Sequence, residues 1–292
     1  MIKGRPFEPV EFLDSTGVRD FRACPARFYW RYARRLAPRA PNVHLIAGGA
    51  FAAGLAEYRR TGSEELGLKA LLAAYTLDSV DDKHRAKALD RVVTAYAAYL
   101  DRYGNSPVPL RLADGTPTIE VSFTLELPLS WSDGTPMLYS GRIDLIGEHP
   151  ELGVVVVDEK TCRSLERDTS SWELRGQFWG YVWAARQLSF DPRWILVRRV
   201  ALQVTAIDFS TVIIGVADWR IERWFEELCF TARQLRDAVE RNLWSQNLGD
   251  ACSSYGGCPF RQLCVLQEPH GWEAACGFEV QEWNPVVVTK EE

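Results

Sequence analysis

The chain has little of what would announce its class at once. Of its 292 residues only two are methionine and four are histidine. Its longest apolar stretch, LIAGGAFAAGLA at 45–56, is glycine-rich. It falls short of the roughly 18 residues that span a bilayer, so no membrane helix is expected. The opening residues, MIKGRPFEPV, lack the apolar core of a secretory signal. No internal repeat, low-complexity tract or long linker stands out. An excess of one charge is also missing, with 34 basic and 39 acidic side chains giving a net charge of −5. The whole molecule therefore does not attract polyanions, and any contact with nucleic acid requires a local basic surface. Together these absences predict a soluble, cytoplasmic protein.

What is present begins with core material. Hydrophobic residues make up 47% of the chain, enough for one large domain spanning 1–292. Seven cysteines is an odd count, and clustered thiols in a reducing compartment are more often metal ligands than disulfides. Cys252, Cys258 and Cys264 follow a C-x5-C-x5-C spacing. This matches neither a C-x2-C zinc knuckle nor the common ferredoxin run. A zinc site completed by Cys276 or His270 and an iron–sulfur site are both open on spacing alone. Far upstream, Cys24 precedes Pro25 at the start of an expected helix, whose N-terminal amides favour a thiolate. Cys162, Cys229 and Cys276 otherwise read as small core or surface residues.

Periodicity predicts helices at 24–36, 48–60 and 82–103, then strands at 117–128, 137–147 and 153–161. A helix at 173–188, a strand at 199–209 and an amphipathic helix capped by Asp218 complete the pattern. This order gives an α/β fold with a mixed central sheet flanked by helices.

The stretch VVVVDEK at 154–160 carries the most chemistry. Four successive valines mark a strand buried on both faces. Alternation puts Asp158 and Lys160 on one side and Glu159 on the other. A hairpin centred near Glu151 sets Asp144 opposite Asp158, with Cβ atoms about 5 Å apart. Two carboxylates that close repel each other, and a hard divalent cation is the simplest way to keep both ionised. The plain alternative is a salt bridge at a strand end.

Taken in order, G-x-x-D (Gly141 to Asp144), D-x-K (Asp158, Lys160) and Q-x-x-x-Y (Gln177, Tyr181) resemble the PD-(D/E)XK nuclease superfamily, most closely its RecB-type branch. The Cys-Pro helix and the distal cysteines look like the iron–sulfur members of that branch. The resemblance spans about 18–265. It implies a restriction-endonuclease-like core hydrolysing DNA phosphodiesters with Mg²⁺ or Mn²⁺, as a deoxyribonuclease and specifically an exonuclease on single strands or DNA ends. It implies Asp144, Asp158 and the Glu159 carbonyl as metal ligands, Lys160 activating water, and Gln177 and Tyr181 positioning it. It further implies a [4Fe–4S] cluster on Cys24, Cys252, Cys258 and Cys264, with 18–36 and 244–270 as the cluster-binding part. That metal cluster would join the N- and C-terminal helical segments as a clamp. DNA is the implied partner, with a helicase or other DNA-processing protein beside it.

One departure matters. The histidine that RecB-type nucleases carry in an early G-x-x-x-H helix falls here on Ala52 or Ala53. Glu57 is the expected substitute ligand, against the plainer reading of a solvated helix residue. The rival to a working enzyme is a catalytically weak or inactive nucleic-acid-binding or scaffolding subunit of the same fold. Arg27, Arg31, Arg34 and Arg35, interleaved with Phe28, Tyr29, Trp30 and Tyr32, read either as a phosphate-binding helix or as solvated arginines around core aromatics.

Overall fold

The computed structural model describes residues 2–3, 13–165, 172–253 and 257–281. Strand β1 (Ile2–Lys3) precedes helices α1 (Ser15–Ala23) and α2 (Pro25–Phe28) and strand β2 (Leu36–Pro38). Helices α3 (Val43–Thr61), α4 (Glu64–Ala74) and α5 (Leu89–Tyr103) follow. Strands β3 (Val108–Pro109), β4 (Ile119–Ser130), β5 (Pro136–His149) and β6 (Gly153–Cys162) lead to helix α6 (Gly176–Gln187). Then come β7 (Trp194–Leu202), β8 (Ile207–Gly215), α7 (Asp218–Glu240), β9 (Leu243–Trp244), α8 (Asp250–Ser253), α9 (Arg261–Cys264) and β10 (Phe278–Val280). Among the described residues, no helix is long and apolar enough to cross a membrane.

The chain divides into two compact units, one of 1–40, 122–141 and 222–292, the other of 41–121 and 142–221. In the second unit the sheet runs in the order β3-β5-β6-β7-β8, with β4 also paired to β5. Strands β6 and β7 pair in parallel while β5–β6 and β7–β8 are antiparallel, so the sheet is mixed. A parallel pair needs a long crossover, and here the crossover carries α6. Helices α3, α4 and α5 bury Ala47, Phe51, Leu55, Leu71, Val92 and Tyr96 in one cluster with Val200 and Leu202 of β7. Contact between α3 and α4 depends on glycine. A Cβ on Gly67 would meet the Gly54 carbonyl at 2.8 Å and the Tyr96 hydroxyl at 2.0 Å.

The strand expected at 199–209 is in fact a hairpin. Leu202 pairs with Ile207, and the Gln203 amide donates to the Ala206 carbonyl at 3.1 Å across the turn. Val204 and Thr205 sit in that turn, and Val204 is exposed. Without glycine or proline to mark the reversal, β-branched composition reads straight through it. The helix expected at 24–36 also breaks up, since α2 gives way to a wider π turn at Tyr29–Ala33.

The first unit is built on aromatics. Phe28, Tyr29 and Trp30 are fully buried. Trp244 lies 6.2 Å from Phe28 and 5.2 Å from Tyr29, centroid to centroid. The neighbouring arginines already have carboxylate partners. Arg27 and Arg31 each reach the buried Asp20 at 3.1 Å, and Arg34 reaches Glu273 at 3.3 Å. Gly141 must be glycine because a Cβ there would come within 2.7 Å of the Phe123 ring.

The expected metal cluster joining the N- and C-terminal segments is overturned. Among the described residues, no group of three or more His, Cys, Asp or Glu could hold a metal ion. Hydrogen bonds tie those segments together instead. Strand β2 pairs antiparallel with β10, and β1 with β9. The Ala26 amide donates to the Ser245 carbonyl at 3.0 Å, and the Asn247 side chain donates to the Ala23 carbonyl at 2.8 Å. These bonds supply the closure that a metal clamp was expected to give.

Asp14 caps α1 by accepting the Gly17 amide at 2.5 Å. Burial pushes its carboxyl up to about 6. A carboxyl raised on folding stabilises the native state in full below its unfolded value near 4, and that contribution disappears as pH rises through 6. Asp14→Asn keeps the capping oxygen without the charge. Its melting temperature relative to wild type is expected to climb between pH 4 and pH 7. A difference that stays flat over this range would refute the assignment.

Candidate functional site

The antiparallel register of β5 and β6 pairs Leu145 with Val157 and Ile146 with Val156. Asp144 lies just beyond this ladder, near enough to Asp158 for the two carboxyls to repel. Asp158 is completely buried. One of its oxygens takes the Lys160 ammonium at 2.7 Å, and the other, Oδ2, has no hydrogen-bond partner among the described residues. Asp144 accepts the Glu159 backbone N–H at 2.9 Å. On α6, the Gln177 amide donates to the Tyr181 hydroxyl at 2.7 Å, one helical turn away.

Glu159 faces the other way and meets Arg59 of α3 in a buried ion pair, with the Tyr99 hydroxyl donating to the same carboxylate at 2.8 Å. Arg198 of β7 donates to that hydroxyl at 2.9 Å and lies 4.2 Å over the Tyr103 ring. Near the same group, Arg142 holds Glu120 at 2.7 Å. Glu57 lies apart, half-exposed, and pairs with Arg60 at 3.7 Å.

Burial sets the protonation of this group. Asp144 is pushed well above the usual carboxylate range, first by burial and then by the neighbouring Asp158. Burial also raises Asp158, against the pull of Lys160. Burial disfavours the Lys160 charge, yet Asp158 and Asp144 outweigh it and raise its pKa. Glu159 goes down despite burial because Arg59 lies against it. Three carboxylates therefore have a cation of the protein beside them: Asp158 has Lys160, Glu159 has Arg59 and Glu120 has Arg142. Asp144, with its proton held more tightly, has a backbone amide instead.

This arrangement does not fit the expected Mg²⁺ or Mn²⁺. The Asp158 Oδ2 atom is one buried acceptor without a hydrogen-bond partner among the described residues, but its neighbours are engaged within the protein. Asp144 holds a backbone amide and Glu57 an arginine on its own helix. Among the described residues, no three metal-binding side chains come together here or elsewhere. The Mg²⁺ or Mn²⁺ cofactor expected on Asp144, Asp158, the Glu159 carbonyl and Glu57 is corrected accordingly.

The [4Fe–4S] cluster expected on Cys24, Cys252, Cys258 and Cys264 fails on the same finding. All seven cysteines are free thiols. Cys24 accepts the Asn247 amide at 3.5 Å, and the Cys252 thiol donates to the Asn247 carbonyl at 3.9 Å. Burial raises Cys258 and pushes Cys264 up to about 11, with repulsion from the neighbouring cysteines adding to both.

Sequence reading missed Arg59, Tyr99 and Arg198. A signal for Arg198 and Arg199 existed: two arginines inside an apolar strand, LVRRVAL, must find buried partners. Arg59 carried no such mark, because an arginine late in a helix is ordinarily solvated.

Removing one member of the buried Arg59–Glu159 pair leaves an uncompensated charge. Arg59→Met alone is expected to cost about 3 kcal/mol or more in chemical denaturation. The double variant Arg59→Met/Glu159→Met is expected to recover most of that loss. Additive losses in the double variant would show that the pair does not govern this region.

Two solved structures were compared with this geometry. A crystal structure of a "Putative exonuclease" from Eubacterium rectale is 14% identical, covering 83% of this chain and 87% of that chain, with a TM-score of 0.47. The crystal structure of SSO0001 is 13% identical, covering 76% and 77%, with a TM-score of 0.36. No curated protein matches the chain. The family model described as the PD-(D/E)XK nuclease superfamily matches residues 15–265. With that match over most of its length, the chain belongs to the PD-(D/E)XK nuclease superfamily.

Proposed function

We propose that this protein is a nucleic-acid-binding member of its superfamily in which DNA cleavage is weak or absent. The expectation of an exonuclease built around a [4Fe–4S] cluster gives way to its rival reading. The observation that carries this is the internal pairing of the acidic side chains at the strand ends. Each acidic side chain of the D-x-K region that could have faced a divalent ion is matched by a protein cation or amide. The departure at Ala52 and Ala53 points the same way, since neither can ligate an ion.

Family membership supports nucleic acid as the partner, and DNA is the specific form we propose. The Lys160 side chain, about one-third exposed, offers a cation to a phosphate at the surface of this group. Gln177 and Tyr181 on one helix favour a RecB-like order of motifs, without its sulfur-bound cluster. Seven free thiols favour a reducing, cytoplasmic compartment.

The test uses labelled single- and double-stranded DNA with wild type, Asp158→Ala and Lys160→Ala, in Mg²⁺, in Mn²⁺ and in chelator. Binding by fluorescence anisotropy is expected, weakening steeply with salt. Product is expected at background for all three proteins under all three conditions. Wild-type cleavage that disappears in either variant would establish a working nuclease. Failure to retain DNA at low salt would remove the binding role.

A further inference from the structure

Beyond Lys160, strand β6 ends in a second cluster of charge that plays no part in the site above. Lys87 is 5% exposed although its side chain ends in an ammonium. That ammonium donates to the Cys162 carbonyl at 3.5 Å, a long contact, and among the described residues no carboxylate pairs with it. The lysine backbone is held in turn, its carbonyl accepting the Tyr75 hydroxyl at 2.9 Å. Burial lowers the lysine to about 8, so at neutral pH it is still largely charged. A buried charge without a counter-ion is costly, and a long apolar side chain would fill the same space without that cost.

The other groups around Lys87 are also basic. His44, in the first turn of α3, lies edge-to-face with His84 at 5.6 Å between centroids. Burial holds His44 below its ordinary value, with further repulsion from Lys87, His84 and Arg163. The nearby acid, Asp81, already contacts His84 Nδ1 at 2.6 Å. Arg163 is exposed and follows Cys162 directly. The chain after it is fixed from below, where buried Arg199 donates to the Ser164 and Leu165 carbonyls at 3.3 and 3.1 Å. Basic groups held in place by the fold, with cations at Lys87 and Arg163 and an imidazole at His44, are what an anionic ligand would engage.

We infer that Lys87, His44 and Arg163 form a site for a phosphoryl group at the C-terminal end of β6. An ammonium, an imidazole and a guanidinium are the usual donors to phosphate oxygens, and the guanidinium can bind two at once. The phosphoryl group comes either from a nucleic-acid strand or from free phosphate. Only the first source rests on the function proposed above.

Calorimetric titration with inorganic phosphate, and with matched 5′-phosphorylated and 5′-hydroxyl oligonucleotides, tests the site. The proteins are wild type, Lys87→Met and Arg163→Ala. Lys87→Met is expected to melt no lower than wild type and to bind at least about tenfold more weakly, the loss of one charged hydrogen bond. Arg163→Ala alters an exposed side chain and keeps the test decisive if Lys87→Met does not fold. Weakening with the oligonucleotides assigns the phosphate to nucleic acid; weakening with inorganic phosphate alone assigns it to the free ion. The inference is overturned if wild type binds neither probe, or if the variants bind both as wild type does. In the second case oligonucleotide binding survives, so the nucleic-acid reading outlives the site.

Discussion

Beneath the central sheet, the Arg59 guanidinium meets the Glu159 carboxylate, with both side chains almost out of reach of solvent. An unpaired carboxylate at that depth would be expelled or neutralised. The pair therefore constrains everything around it. It brings α3 to β6, draws in Tyr99 from α5 and, through that hydroxyl, Arg198 from β7. Because strand residues alternate, fixing Glu159 on this side commits Asp158 and Lys160 to the other.

On that other side the same rule is met differently. Asp158 takes the adjacent ammonium, while Asp144 takes a backbone amide and holds its proton more tightly than usual. Carboxylates that would gather a divalent ion elsewhere are here balanced by protein groups. The fold of a nuclease family is thus compatible with a site that needs no ion for its stability. One oxygen of Asp158 is left without a hydrogen-bond partner among the described residues.

Several features were legible in the sequence because they are local. Four valines before Asp158 mark a doubly buried strand, which Gly153 opens. Register followed from alternation, which set Asp144 opposite Asp158 before any coordinates. The hairpin at Gln203–Ala206 was not legible, since Val204 and Thr205 favour a strand and no glycine announces the turn. Cysteine spacing misled for a related reason. It records distance along the chain, whereas ligation needs side chains set at coordinating distance in space, and no such group forms among the described residues.

The sequence by itself determined the α/β pattern, the facing carboxylates of β5 and β6, the lysine beside them and the glutamine–tyrosine pair on α6. These depend on the two- and 3.6-residue periods of strand and helix, which any short window displays. Only the tertiary structure decided which charges neutralise which. Arg59 and Glu159 are 100 positions apart, and Lys87 and Cys162 are 75. Compensation of buried charge is a property of what the folded chain packs together, and no local pattern encodes it.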